Sequence, residues 1–176
     1  KEEQPASKVK YDSITLEIFN SKGDKIRTVK QKAPEENGIS RMFWSMNEKG
    51  PARPTREKPR ANAPEPRGSQ VLPGTYKVRL TFGDKKDSTT IQVKSDPRFN
   101  TPESTITTRY TMIKNLETLT STAAQAMDRL RESKGIADEY EKKMKGEKRD
   151  DLKDAMDKTK VVKDSIAAIM DYIVGK

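Results

Sequence analysis

The chain contains no cysteine and no histidine. Disulfide staples, thiol nucleophiles, imidazole acid–base chemistry and the usual nitrogen and sulfur ligands of zinc are excluded with them. Aromatic residues make up 6% of the sequence, with a single tryptophan, and hydrophobic residues reach 31% against 36% charged. That is lean for one compact core and suits small or elongated domains with much surface. No apolar run approaches the roughly 20 residues that span a bilayer. No Walker or dinucleotide motif occurs, and no cofactor or metal site is expected. The sequence opens at Lys1 without a methionine or an apolar leader, which reads as a fragment of a longer protein.

What is present is charge, unevenly spread. Residues 1–97 hold 20 basic against 13 acidic residues, and residues 98–176 hold 16 against 14. Most of the net +9 therefore belongs to the first half, which argues for two units with different surfaces.

The first half reads in period two. Ile14, Leu16 and Ile18 alternate with Thr15 and Glu17; Tyr76, Val78, Leu80 and Phe82 alternate with Lys77, Arg79 and Thr81; Thr89, Ile91 and Val93 alternate with Thr90, Gln92 and Lys94. One dry and one wet face mark an antiparallel sheet packed on one side. Breaks at 20–24 and 83–85 suit hairpin turns. Shorter strands are expected at 26–29 and 40–45. Trp44, Tyr76, Val78, Leu80 and Ile91 are the expected core. Pro73 and Gly74 predict a type II turn that aims the chain into a strand from Thr75.

After Pro102 there is no further proline and the period becomes 3.6. Thr101-Pro102-Glu103 has the form of a helix start: a hydroxyl cap, a proline, then an acid at the positive end of the dipole. Two stripes follow, one from Ile106 through Leu116, Met127 and Tyr140 to Met144, the other through Leu152, Met156, Thr159, Val162, Ile166, Ile169 and Ile173. Joined by a polar link at 145–151, they predict an antiparallel helical hairpin. Gly135 leaves open a bend or break. Asp150, Asp151, Asp154 and Asp157 gather where the second helix starts, as dipole complementarity favours. The segment IAAIMDYIVGK is still helical in pattern at its end, another mark of a fragment.

Between the two strand-forming regions lies EKGPARPTREKPRANAPEPRGSQ. It holds five of the ten prolines, and residues 49–68 carry six basic against two acidic residues. Such a segment favours extended or polyproline II backbone and cannot join a sheet interior. It is either a solvated crossover or a docking arm for a polyanion or partner. The arm's candidate contacts are Arg53, Arg56, Lys58, Arg60 and Arg67. No aromatics interleave with them and no DNA- or RNA-binding motif is present, which argues against nucleic acid. Paired carboxylates, a third and enzymatic route, have no spacing that singles out a pair.

Three segments carry a resemblance. ITLEIFNSKGDKIRTV, NGISRMFWSMNEKG and LPGTYKVRLTFGDKKDSTTIQVKSDPR together resemble the immunoglobulin-like domain of flagellar hook-cap proteins and secreted bacterial proteins. DPR leading into a long helical tail is similar to the C-terminal region of large exported proteins built on a sortilin-type BNR-repeat β-propeller, often labelled glycosyl hydrolase. Ser45 departs from the hook-cap pattern, which has Asp after Trp, and so does the proline-rich insertion. The resemblance implies export to the periplasm, surface or medium, an upstream propeller as partner, and any hydrolase activity located in that propeller rather than here.

The expectation is α+β in separate units: a linker at 1–10, an immunoglobulin-like antiparallel β-sandwich at 11–97 with an insertion at 49–70, and an α-helical hairpin at 98–176. The expected role is that of a non-catalytic accessory module. The alternative is a binding module for an acidic glycan or other polyanion through the basic loop.

Overall fold

A computed structural model describes residues 12–34, 38–61, 63–147 and 150–175. The linker expected at 1–10 lies outside the described residues. Strands occupy the first half: β1 (Ser13–Phe19), β2 (Lys25–Lys32), β3 (Asn47–Lys49), β4 (Arg67–Gln70), β5 (Gly74–Phe82) and β6 (Lys85–Val93). Two helices follow, α1 (Glu103–Glu147) and α2 (Lys153–Val174), with a 3₁₀ turn at Asp150–Leu152 before the second. The architecture is an antiparallel β part followed by a helical hairpin.

The chain folds into two units that interleave in sequence. One holds residues up to Gly50 and Arg67–Ile113; the other holds Pro51–Pro66 and Lys114–Lys176. The expected division at 97/98 differs on two counts. The start of α1 belongs with the strands, and the proline-rich insertion belongs with the helices.

In the first unit, a four-stranded sheet of order β2-β1-β5-β6 and a two-stranded ladder β3-β4 are antiparallel throughout. The β1–β2 turn is built by Asn20, whose Oδ1 accepts the backbone N–H groups of Lys22 at 3.0 Å and Asp24 at 2.9 Å, while Gly23 takes a φ of 86°. Asn and Gly are there because a tight hairpin needs a side-chain acceptor and positive φ. Ile18 faces Arg27 but Phe19 faces Lys25; the extra residue, Ile26, joins the inner cluster, as a bulge allows.

That cluster is Ile18, Val71 and Tyr76, with Leu16, Val29, Trp44, Ile91 and Val93 packed against it. Trp44 is half-buried and meets Tyr76 edge-on, ring centroids 5.7 Å apart. Val78 is half-buried. Leu80, expected in the core, is 40% exposed; its β6 neighbour on that face is Asp87, so the apolar cluster ends before it.

Two local expectations are corrected. Gly74 does not sit at positive φ; it is already in β5, paired with Val93, so extended ladder geometry replaces the type II turn. No strand forms at 40–45. The pairing segment is Asn47–Lys49, entered through Met46, whose φ of 52° turns the chain so that its carbonyl accepts Val71 N–H at 2.9 Å.

α1 starts one residue later than the sequence suggested. Pro102 precedes the first helical residue, and its carbonyl accepts Thr105 and Ile106 N–H at 3.0 and 3.2 Å. The helix then runs 45 residues without a break at Gly135. Its threonines bond back one turn, Thr118 to Lys114 O and Thr120 to Leu116 O, so β-branched residues keep their hydroxyls satisfied within the helix.

In the second unit, Met127, Ile166 and Met170 form the hairpin core, with Leu130 and Ile173 against them. The expected α2 stripe holds at Leu152, Met156, Thr159, Ile166 and Ile173 and differs at two positions. Val162 and Ile169 are 51% and 49% exposed, and Met170 is buried instead. Lys163 replaces Val162 at the seam because its ammonium reaches Asp138 and Glu141 of α1, both at 2.5 Å. On α1, Leu116 and Tyr140 are exposed. Neighbouring Glu117 and Glu141 are half-buried in their place.

Candidate functional site

The five basic residues proposed as polyanion contacts divide sharply. Arg56 is engaged within the second unit. Its guanidinium bonds Asp171 Oδ1, Nη2 at 3.0 Å and Nε at 3.3 Å, and the carbonyl of Gly175. Gly175, with a φ of 85°, ends α2 and returns its N–H to Asp171 O at 2.8 Å. A cation bonded beside the last turn of a helix meets the negative end of the helix dipole.

One residue earlier, the carbonyl of Thr55 accepts a hydrogen bond from Arg131 of α1, which also pairs with Asp128. Thr55 and Arg56 fasten the insertion to both helices of the hairpin. Arg53, Lys58 and Arg60 are exposed, and Arg67 is exposed on β4 opposite Lys49. Of the five, Arg56 is thus bonded within the second unit. The engagement of Arg56 was not legible in the sequence, because a bonded arginine and a solvated one look alike in a proline-rich run.

Within the first unit, the β4–β5 link and the start of α1 border a cleft of about 160 Å³, lined by Val71, Leu72, Ile106, Arg109, Tyr110 and Ile113. That is below the size range of small-molecule sites. The Tyr110 hydroxyl at its edge donates to Glu48 Oε1 at 2.6 Å. Among the described residues no group of acidic side chains could hold a metal ion. The aspartates near the start of α2 illustrate this: Asp154 is paired along the helix with Lys158 at 2.7 Å.

A second basic surface was missed by the sequence reading. Strand register places Lys30, Thr15, Thr81 and Lys86 in one row across the outer face of the four-stranded sheet. The next row is Thr28, Glu17, Arg79 and Ser88, and beyond it Phe19, Lys77 and Thr90 align. Glu17, its side chain 16% exposed, is held between Arg79 at 2.7 Å and Lys25 at 3.1 Å. These bonds, Arg79's first, keep its carboxyl below the ordinary carboxylate range. Arg79 also covers the Phe19 ring, 4.7 Å from its centroid. The signal was there in the alternating Lys, Thr and Arg positions, but it needed the pairing register to become a surface.

No helix among the described residues is long and apolar enough to cross a membrane. Comparison of the chain with known protein families, with curated proteins and with solved structures finds no match.

Proposed function

We propose that the chain is a non-catalytic accessory module of a larger exported bacterial protein. Its β part is immunoglobulin-like, and it supports or docks an upstream β-propeller of the sortilin BNR-repeat type. The observation that carries the reading is Tyr76. It stands near the start of β5, directly after the β4–β5 corner, and its hydroxyl donates to the Leu72 carbonyl at 2.6 Å. A buried tyrosine reaching back a few residues across a strand corner has the form of the tyrosine corner of immunoglobulin-type sandwiches, which supports the reading. Burial pushes its phenol pKa up, with Glu48 adding to the effect, so the group stays a neutral donor. Export and the propeller rest on the sequence resemblance, and any glycoside hydrolysis is assigned to the propeller.

A structural role also fits what the insertion does. The segment offered as a binding arm uses Arg56 and the Thr55 carbonyl to hold the hairpin. The test is thermal unfolding of the full-length protein with and without residues 114–176. Loss of the hairpin should lower the unfolding temperature of the upstream domain. An unchanged upstream transition, or a gene with no propeller before this segment, would sink the proposal.

A further inference from the structure

We propose that the outer face of the β2-β1-β5-β6 sheet is a docking surface for an acidic polysaccharide, one bearing uronate or sulfate groups. This does not depend on the propeller reading. The argument is charge complementarity on a flat, open face. Lys30, Lys77 and Lys86 point outward on three different strands, all exposed, and among the described residues none of them has an ion-pair partner. Glu17, the acid at the centre of the face, is already neutralised by Arg79 and Lys25. An arriving anion meets cations with no competing free carboxylate between them.

The spacing suits a polymer rather than a single ion. Lys30 and Lys86 end a row four strands wide, a span of about 14 Å at about 4.8 Å per strand. Lys77 lies two residues from Arg79 along β5, about 6.8 Å. Between the cations stand hydroxyls, Thr15, Thr81, Ser88 and Thr90, which can donate to and accept from sugar hydroxyls. The aromatic ring on this face, Phe19, lies under Arg79, so a stacking platform for unpaired bases is not offered. Sugar acids fit the face better than nucleic acid does.

The experiment measures binding of the full chain to polygalacturonate and to dextran sulfate across a salt series, with neutral dextran, duplex DNA and phosphatidylserine vesicles as comparisons. One variant carries Lys30→Gln, Lys77→Gln and Lys86→Gln; the other carries Arg53→Gln, Lys58→Gln, Arg60→Gln and Arg67→Gln. The first removes three charges and the second four, so a net-charge effect alone would weaken the second more. The sheet variant should lose about tenfold or more in affinity for at least one polysaccharide, and its salt slope should flatten by about two to three. The loop variant should stay within about twofold of the parent, an exposed rim with little hold on the polymer. The polysaccharide that binds more tightly distinguishes uronate from sulfate. Greater loss in the loop variant, tighter binding to DNA or vesicles than to either polysaccharide, or no binding at physiological salt would overturn the proposal. The single variant Lys77→Gln, at an exposed position, repeats the measurement should the triple variant fail to fold.

Discussion

The guanidinium of Arg56 caps the last turn of α2, its Nη2 3.0 Å from Asp171 Oδ1. A residue that reads as a spare positive charge in a proline-rich loop is thereby bonded to the last turn of a helix. Arg56→Ala should destabilise the helical hairpin by about 0.5–1 kcal/mol, the worth of a cation at a partly exposed helix C-terminus. Arg53→Ala and Lys58→Ala should each stay within about 0.5 kcal/mol, as exposed substitutions do. Urea unfolding followed by far-ultraviolet circular dichroism distinguishes them. Equal effects at all three positions would remove the cap from the account.

Two glycines should respond with opposite sign. A Cβ at Gly50 would lie 2.5 Å from the Arg67 carbonyl oxygen on β4, so Gly50→Ala must push the two strands apart. The expected cost is roughly 1–3 kcal/mol, the range for overpacking. Gly135 lies inside α1 with nothing within 4 Å of a Cβ. Gly135→Ala should therefore stabilise by about 0.5–1 kcal/mol through helix propensity. Thermal unfolding reads both. Destabilisation by Gly135→Ala would mean that the helix needs a flexible point there.

Trp44 should couple to Tyr76. Its Nε1 donates to the Asn47 carbonyl at 2.9 Å, while its ring meets the Tyr76 ring edge-on. Trp44→Ala should cost roughly 3–5 kcal/mol. Trp44→Phe, which keeps a ring but leaves the carbonyl without its donor, should cost about 1 kcal/mol from the lost hydrogen bond, beside any packing change. In a double-mutant cycle with Tyr76 the coupling should be about 0.5–1.5 kcal/mol. Additive effects would show that the two rings are neighbours without an interaction.

The ionic seam of the hairpin should give it a broad stability plateau. Lys145 and then Lys163 hold the Glu141 carboxyl down from 4.5 to about 2. Lys163 also depresses Asp138, and its own pKa is raised by Asp138 and then by Glu141. A depressed carboxylate stabilises the fold above its ordinary pKa, and the contribution is lost as pH falls from about 4.5 towards 2. A raised ammonium stabilises below its ordinary pKa of 10.5, and that contribution is lost only as pH rises further. Urea midpoints should be flat at neutral pH and fall below about pH 4.5. Lys163→Met should make the acid limb shallower; an unchanged pH profile in that variant would show that the seam is not its source.

The elements were legible in the sequence where the repeat is local. Alternation at Ile14–Ile18 and Tyr76–Phe82 marked β1 and β5, and the turn residues Asn20 and Gly23 marked the β1–β2 hairpin. The hairpin of helices was legible from its two stripes, but two positions of the α2 stripe were off by one. Lys163 and Met170 are inside while Val162 and Ile169 are not, because an ion pair across the seam outweighs the apolar character of a valine. The strand expected at 26–29 was legible as part of β2, but β3 was not. Asn47–Lys49 has no alternation to read, and Asn47 is buried there with Trp44 bonded to its carbonyl. The basic candidates were legible as charges only. Whether an arginine caps a helix or faces solvent depends on partners far away in the chain, and so does the row that joins Lys30 to Lys86.

The fastening of the insertion sets an order of events as the protein is made. Arg56 and Asp171 are 115 positions apart, so at about 5–20 residues per second a ribosome needs roughly 6–23 s between them. β3 and β4 flank the insertion and are complete by Gln70. The Arg56 end of the proline-rich segment must therefore wait on the nascent chain, tethered at both ends, until α2 emerges. Proline suits that interval: a chain that cannot pair as a strand interior will not add to an open sheet edge while it waits.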